Sequence, residues 1–265
     1  HLAGQVAVTT SVVNPREDFE INALGTFNVL ESVRLFAPNS ILLFASTNKV
    51  YGGMEEIKII KKGKKYIYRD LPGGISEAQN LDFHSPYGCS KGTADQYVRD
   101  YHRIYGLRTV VFRQSCIYGT HQFGIEDQGW VSWFTIASVL GKPITVYGDG
   151  MQVRDVLFVE DLVRAYDTAV TNIGKAAGKI FNVGGGPKFT LSLLELLALL
   201  EKKLGKEIPY TSADWRPGDQ PVYVSNISKI NKELGWKPKI DVQEGTSRMI
   251  DWIVKEKELI NQVLG

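Results

Sequence analysis

Two stretches decide the fold: Ser40-Ile-Leu-Leu-Phe-Ala-Ser-Thr47 and, further on, Ser85-Pro-Tyr87-Gly-Cys-Ser-Lys91. The first is an unbroken apolar run between turn-formers, the pattern of a strand covered on both faces in a parallel sheet. The second opens a helical pattern, with Pro86 at a helix-start position, that runs to about Tyr105, where Gly106 ends it. Leu107 to Arg113 is then another buried-type strand. Strand, crossover helix, strand is the unit of an open α/β sheet. Such sheets bind ligands beyond the carboxyl ends of their strands, and Thr47 stands at that edge. Tyr87 and Lys91, at i and i+4, share one helix face. A nearby cation favours a phenolate, so Lys91 is expected to lower the Tyr87 pKa toward the range a general acid/base needs.

Upstream, Phe19, Ala23, Leu24, Phe27, Leu30, Val33 and Leu35 recur at helical spacing and predict a helix over 18–37, buried along one side and ended by Pro38. Residues 52–84 form a Gly-, Lys- and Pro-rich excursion, of a length that in a compact fold is more often functional or a lid than inert. Its basic run, Lys58 to Lys65, reads first as a solvated loop. Beyond Gly119 helices are expected at Trp130–Leu140, Glu160–Val170, Leu191–Leu204, Ser228–Leu234 and Gln243–Lys255. Short strands separate them at Ile144–Tyr147, Val156–Val159 and Lys179–Val183. This half reads as a smaller mixed α/β lobe closing over the sheet edge.

The chain has 265 residues, 31 Lys and Arg against 29 Asp and Glu, and 43% hydrophobic residues. That balance gives no case for disorder or for nucleic-acid binding. Two cysteines support neither a disulfide framework nor a structural zinc site, so a reducing, cytoplasmic compartment is expected. No apolar run approaches the roughly 20 residues of a membrane helix, and no signal peptide opens the chain. The four histidines stand without a carboxylate cluster, and no metal site is expected.

A strand-end hydroxyl, then Y-x-x-x-K on the next helix, then another strand resembles the extended, sugar-nucleotide-modifying branch of the short-chain dehydrogenase/reductases. The likeness covers nearly the whole chain: His1-Leu-Ala-Gly-Gln5 is similar to the cofactor-facing end of that family's fourth strand, Asn22-Ala-Leu-Gly-Thr26 to its next helix motif, and Val156-Leu-Phe-Val-Glu-Asp161 to its substrate-lobe signature. It implies a Rossmann-like doubly wound parallel sheet, incomplete at its N-terminus. Residues 1–118 would be the later part of an NAD-binding domain. Residues 119–265 would be mainly the nucleotide-sugar lobe, with some segments returning to the sheet.

By the same resemblance Tyr87 would exchange a proton with a sugar hydroxyl, Lys91 would hold the nicotinamide ribose, and Thr47 would bond the reacting oxygen and the phenol. NAD would further meet Leu2, Ala3, Gln5, Asn22, Ala45, Ser46 and Gln114. Dehydratases of the branch carry Asp-Glu after the threonine to eliminate water; Asn48-Lys49 stands here instead and disfavours dehydration. Ser46 to Gly52, Leu71-Pro-Gly-Gly-Ile75, Leu81 to Gly92, and Phe112 to Tyr118 with Asp127-Gln-Gly-Trp130 resemble the CDP-paratose 2-epimerases. That likeness implies conversion of CDP-paratose to CDP-tyvelose by transient oxidation at C2 with tightly held NAD. A different sugar-nucleotide epimerase, for instance at C4, a dehydratase, and an inactive sugar-nucleotide-binding fragment are the alternatives.

For the substrate, Arg154 and Arg216, with Asp219, match the family's diphosphate motifs; a guanidinium fork suits phosphate oxygens. Asn48, Lys49, Gln122, Phe123, Val146 and Cys116 are further candidates; apolar core accounts equally well for Phe123 and Val146, and an inert buried thiol for Cys116. Homo-oligomers, dimers or tetramers, would pack through the Asp18 and Ser85 helices.

A Gly-rich pyrophosphate turn is expected near the start of a dinucleotide-binding fold, and none occurs there. Gly184-Gly-Gly186 follows a strand but matches a substrate-lobe turn. The expectation is that two βαβ units, carrying that loop and the acidic ribose ligand, precede His1.

Overall fold

A computed structural model describes residues 1–216 and 219–264. The first half runs α1 (Val8–Val13), α2 (Pro15–Phe19), a π-helical turn (Glu20–Leu24), α3 (Gly25–Phe36), β1 (Ile41–Thr47), a 3-10 turn (Asn48–Tyr51), β2 (Ile59–Lys62), β3 (Lys65–Tyr68), α4 (Ser85–Tyr105), β4 (Arg108–Gln114) and β5 (Cys116–Tyr118). The second runs α5 (Trp130–Leu140), β6 (Thr145–Tyr147), β7 (Val153–Phe158), α6 (Val159–Thr171), α7 (Ile173–Ala176), β8 (Ile180–Val183), β9 (Thr190–Ser192), α8 (Leu193–Leu204), β10 (Thr211–Ala213), β11 (Val222–Tyr223), α9 (Ser228–Leu234), α10 (Val242–Lys255) and α11 (Lys257–Leu264).

β1, β4 and β8 form a parallel sheet in that order, with Thr47 opposite Gln114 and Gln114 opposite Val183. His1 lies alongside β1 on the side away from β4: its backbone N donates to Leu43 O at 2.7 Å, and Ala45 N donates to His1 O at 3.3 Å. Both faces are covered, which is why the strands read as continuous apolar runs. Leu30, Ala94 and Val98 pack with Phe44 and Val111 on one side. On the other, Leu162, Ala165 and Ile230 pack with Val110, Phe112 and Phe181. The fold is therefore a Rossmann-like α/β sheet. α4 ends in a left-handed Gly106 (φ 70°) whose N–H bonds back to His102 O.

The second layer holds β5, β7 and β11 in parallel, with β9 antiparallel to β7, and β6 paired with β10. α5, α8 and α10 close over this layer through a core that includes Ile136, Leu196, Met249 and Ile253.

Two sequence expectations change. Lys58 to Lys65 is not a loop: Ile59 to Lys62 pairs antiparallel with Lys65 to Tyr68 about a left-handed Gly63. The first strand is exposed throughout, Lys65 pairs with Glu195 at 3.2 Å, and Tyr68 is buried where its hydroxyl donates to Val222 O at 3.0 Å. The helix expected over 18–37 begins at Pro15 and passes through the π-helical turn. Its buried stripe carries Asp18, Asn22, Ala23, Thr26 and Leu30, whereas Phe19, Leu24, Phe27 and Leu35 face solvent. The polar members of that stripe serve the site below.

Candidate active site

Thr47 closes β1, and its hydroxyl accepts from Lys49 N at 3.2 Å, capping the turn that follows. α4 starts beside it. Ser11 Oγ accepts from Tyr87 N at 3.1 Å, and Ser85 Oγ from Gly88 N at 3.2 Å, satisfying helix-end amides that would otherwise be orphaned. Ser85 itself adopts a left-handed backbone, φ 68°, uncommon for a serine. Tyr87 is buried and hydrogen-bonded to the Thr47 side chain. One turn on, Lys91 Nζ donates to Ala45 O at 2.6 Å and lies 4.3 Å from the centre of the Phe44 ring.

The expected depression of the Tyr87 pKa is not found. Burial pushes the phenol up to about 12, only partly countered by the Thr47 bond, and Lys91 spends its charge on Ala45 O and the Phe44 face. Burial in turn lowers Lys91 to about 8, with Asp95 and Asp18 opposing the change. The sequence indicated that the two side chains share a helix face; it carried no sign of how dry that face is.

On the side toward the chain's leading residues, Asn22 clamps Gln5: Gln5 N donates to Asn22 Oδ1, and Asn22 Nδ2 donates to Gln5 O, both at 3.0 Å. Gln5 Nε2 reaches Asp18 Oδ1, and Ser90 Oγ donates to Asp18 Oδ2. Leu2 and Ala3 are exposed. Two other proposed cofactor residues turn elsewhere: the Ser46 hydroxyl donates to Asp95 Oδ2 at 2.8 Å, and Gln114 Nε2 donates to the Tyr166 hydroxyl. Gly4 lies where an added Cβ would come within 2.9 Å of Asn22 Oδ1 and 4.0 Å of Lys91 Nζ. A backbone-only ledge thus adjoins a buried ammonium for which Ala45 O is the one hydrogen-bond acceptor among the described residues. A ribose diol, which offers acceptors and needs close backbone approach, could be held there by Lys91, Gly4 and Asn22.

On the lobe side, Arg154 Nη2 meets Asp219 Oδ1 at 2.6 Å and Nη1 donates to Gln220 O at 2.6 Å, while Lys49 lies in the field of Arg154, Asp219 and Cys116. Burial is the main cause that brings Lys49 down to about 8. A cavity of about 300 Å³ lies here, lined by Lys49, Met54, His84, Ser85, Asp219 and Gln220 among others. Arg216 has partners of its own: it pairs with Asp127 at 3.1 Å and stacks 3.9 Å from the centre of the Tyr147 ring. Pro217 and Gly218 of that motif lie outside the described residues. Gln122 Oε1 is buried with no partner among the described residues. Cys116 accepts a bond from Trp130 Nε1 at 3.4 Å, and burial pushes its thiol up. Phe123 packs edge-on to Trp252, and Val146 lies wholly within the lobe core, so core packing accounts for Val146.

Sequence reasoning missed Ser11, Asp18, Ser90, Asp95 and Arg113, all buried around this helix. A signal existed for two of them: Asp18 stands one turn before Asn22 on a buried stripe, and Asp95 one turn beyond Lys91.

Residues 1–249 match the family model described as GDP-mannose 4,6 dehydratase. The chain belongs to that family. It is 49% identical over 257 residues to the CDP-paratose 2-epimerase of Salmonella typhi, a match covering 95% of this chain and 76% of that protein. Within the family the fold is shared with the crystal structure of UDP-glucose 4-epimerase with UDP-glucose from Thermotoga maritima, at TM-score 0.83 and 28% identity over 97% of this chain and 77% of that one. A dTDP-glucose 4,6-dehydratase from Streptomyces venezuelae, solved with NAD bound, superposes at TM-score 0.81 and 27% identity over 98% of this chain and 73% of that one. The family's members are thus extended short-chain dehydrogenase/reductase epimerases and dehydratases, enzymes that act on nucleotide sugars.

Proposed function

We propose that this chain is an NAD-dependent epimerase of a nucleotide-linked sugar, converting CDP-paratose to CDP-tyvelose through transient oxidation at C2. One observation carries the reading: a buried phenol, Tyr87, bonded to Thr47 at a strand end, with Asn48 and Lys49, rather than two carboxylates, beside it. The high identity to a CDP-paratose 2-epimerase supports the base and the sugar.

Bound NAD supplies the hydride acceptor and, on return, the donor. Tyr87 takes the proton from the sugar hydroxyl and gives it back to the ketone oxygen, and Thr47 holds that oxygen against the phenol. Only the phenolate can take that proton, and burial, which keeps the Tyr87 pKa near 12, leaves little of it at neutral pH. With NAD bound, the Lys91 ammonium would hold the ribose and, one helical turn from the phenol, would favour the phenolate. A ketone at C2 must then present its other face, and the cavity beside Lys49 and Ser85 gives the sugar room. Arg154 and Arg216 draw the diphosphate, and Lys49 adds a cation while protonated.

Incubating the protein with CDP-paratose and NAD and following the sugar by proton NMR tests this: inversion at C2 with C4 untouched is expected. Inversion at C4, or a 4-keto-6-deoxy product absorbing in alkali, would replace it with a 4-epimerase or a dehydratase, and no turnover with no NAD binding would leave a sugar-nucleotide binder.

We also propose a homo-oligomer packed through the Asp18 helical run (15–36) and α4, where Phe27 and Tyr97 meet edge-to-face at 5.8 Å and Phe19, Ile104 and Tyr105 are exposed. Light scattering of Phe27→Glu against the parent checks it; an unchanged mass would exclude this face. No described helix is long and apolar enough to cross a membrane. Free Cys89 and Cys116 accord with a reducing, cytoplasmic setting.

A further inference from the structure

The last three residues of β1 each meet α4, and the α4 partners are spaced four apart. Thr47 bonds Tyr87, the Ala45 carbonyl accepts from Lys91 Nζ at 2.6 Å, and Ser46 Oγ donates to Asp95 Oδ2 at 2.8 Å. Residues 87, 91 and 95 share one helix face, so a shift of the helix by one residue would break all three contacts together. Asp95 is the fixed member. Its carboxylate is fully buried and accepts from Arg113 Nε and Nη2, both at 2.9 Å, and from Gln96 Nε2 at 2.8 Å. Arg113, on β4 directly opposite Ser46, spends its remaining arm on the Tyr51 hydroxyl at 3.2 Å, which donates to Asn182 Oδ1 at 2.7 Å. No lone pair of the carboxylate is left to reorient.

A buried ion pair is weak evidence for stability, since an apolar pair of similar volume often does as well; fixing a register is its best-attested use. The Ser46 bond gives that register a direction, because it ties the pair to the residue that precedes Thr47.

We infer that Asp95, clamped by Arg113, is a positioning residue that acts through Ser46 to hold Thr47 and Ala45 in step with Tyr87 and Lys91. The inference rests on the epimerase reading for its consequence in turnover, though not for its geometry.

Ser46→Ala removes the strand contact and leaves the Asp95–Arg113 pair intact. The expected outcome is a roughly tenfold fall in kcat with unchanged KM for the nucleotide sugar and a thermal midpoint close to the parent's, because misplacement of reacting groups penalises the chemical step. A second readout needs no substrate. Ring-labelled tyrosine NMR, with the Tyr87 resonance assigned by Tyr87→Phe, should show the phenol titrating near 12 in the parent and lower in Ser46→Ala, where a loosened helix end admits water. An unchanged Tyr87 titration, or an unchanged kcat in the variant, would overturn the inference. Should the parent chain epimerise nothing, the epimerase reading fails by itself and the titration alone decides the positioning role.

Discussion

Replacing Lys91 by Met should make stability respond differently to pH, and the size of the response follows from where the ammonium sits. Burial lowers the Lys91 pKa from 10.5 to about 8. At about 1.36 kcal/mol per pKa unit, keeping it charged in the folded chain costs about 3 kcal/mol near neutral pH. Between the folded value of about 8 and the unfolded value of 10.5 the unfolded chain binds more protons, so stability rises with pH across that window. By about pH 10 most of the penalty is gone, and roughly 2 kcal/mol has been regained. Lys91→Met lacks this gain. It also loses the bond to Ala45 O and the Phe44 contact; whatever part of these depends on the lysine's charge is already contained in its folded-state pKa, and the rest cancels when the two proteins are compared at two pH values. Urea unfolding near pH 7 and pH 10, extrapolated linearly, gives the four free energies. The stability of Lys91→Met relative to the parent should fall by about 2 kcal/mol from the lower to the higher pH. A difference that stays constant, or moves the other way, would refute a buried, charged Lys91 and with it the dry site on which the catalytic reading depends.

Tyr87→Phe should lower kcat by about a thousandfold while calorimetry shows nucleotide-sugar binding intact, since only the proton-transferring group is lost; more than a tenth of parental turnover would exclude Tyr87 as the acid/base. In the parent, KM for the nucleotide sugar should climb as pH passes about 8 and Lys49 sheds its proton, whereas Lys49→Met should start higher and stay flat. Parallel profiles would count against a Lys49–diphosphate contact. Leu30, with no exposed surface beneath the sheet, should cost about 3 kcal/mol as Ala by chemical denaturation; a loss under about 1 kcal/mol would mean that face of the sheet is loosely packed.

The elements that carry the site were legible because their signals are local. A run of apolar residues ending in Thr47 can be little but a doubly covered strand, and Pro86 and Gly106 bracket α4 to within a residue of its observed ends. The lobe helices were read on the same grounds, with Trp130–Leu140 and Ser228–Leu234 recovered as they stand. What stayed hidden is set by contacts distant in the chain. Lys91 and Tyr87 are one turn apart, so their electrostatic coupling looked inevitable; only the packing of Phe44 and the Ala45 carbonyl shows the charge turned the other way. Helical spacing placed Phe19, Phe27 and Leu35 inside because periodicity cannot say which of two stripes faces the sheet. The stripe that does carries Asp18, Asn22 and Thr26. In isolation these residues argue for the solvent side, yet here they are buried because each has a partner on another element or on the next turn: Ser90 on α4, Gln5 at the chain's start, and the Asn22 carbonyl. Buried polar residues at helical spacing beside an apolar stripe are therefore the mark this sequence offered for its site. Asp95 satisfies the same rule one turn beyond Lys91, which is why a carboxylate with no evident chemistry of its own becomes the residue to test next.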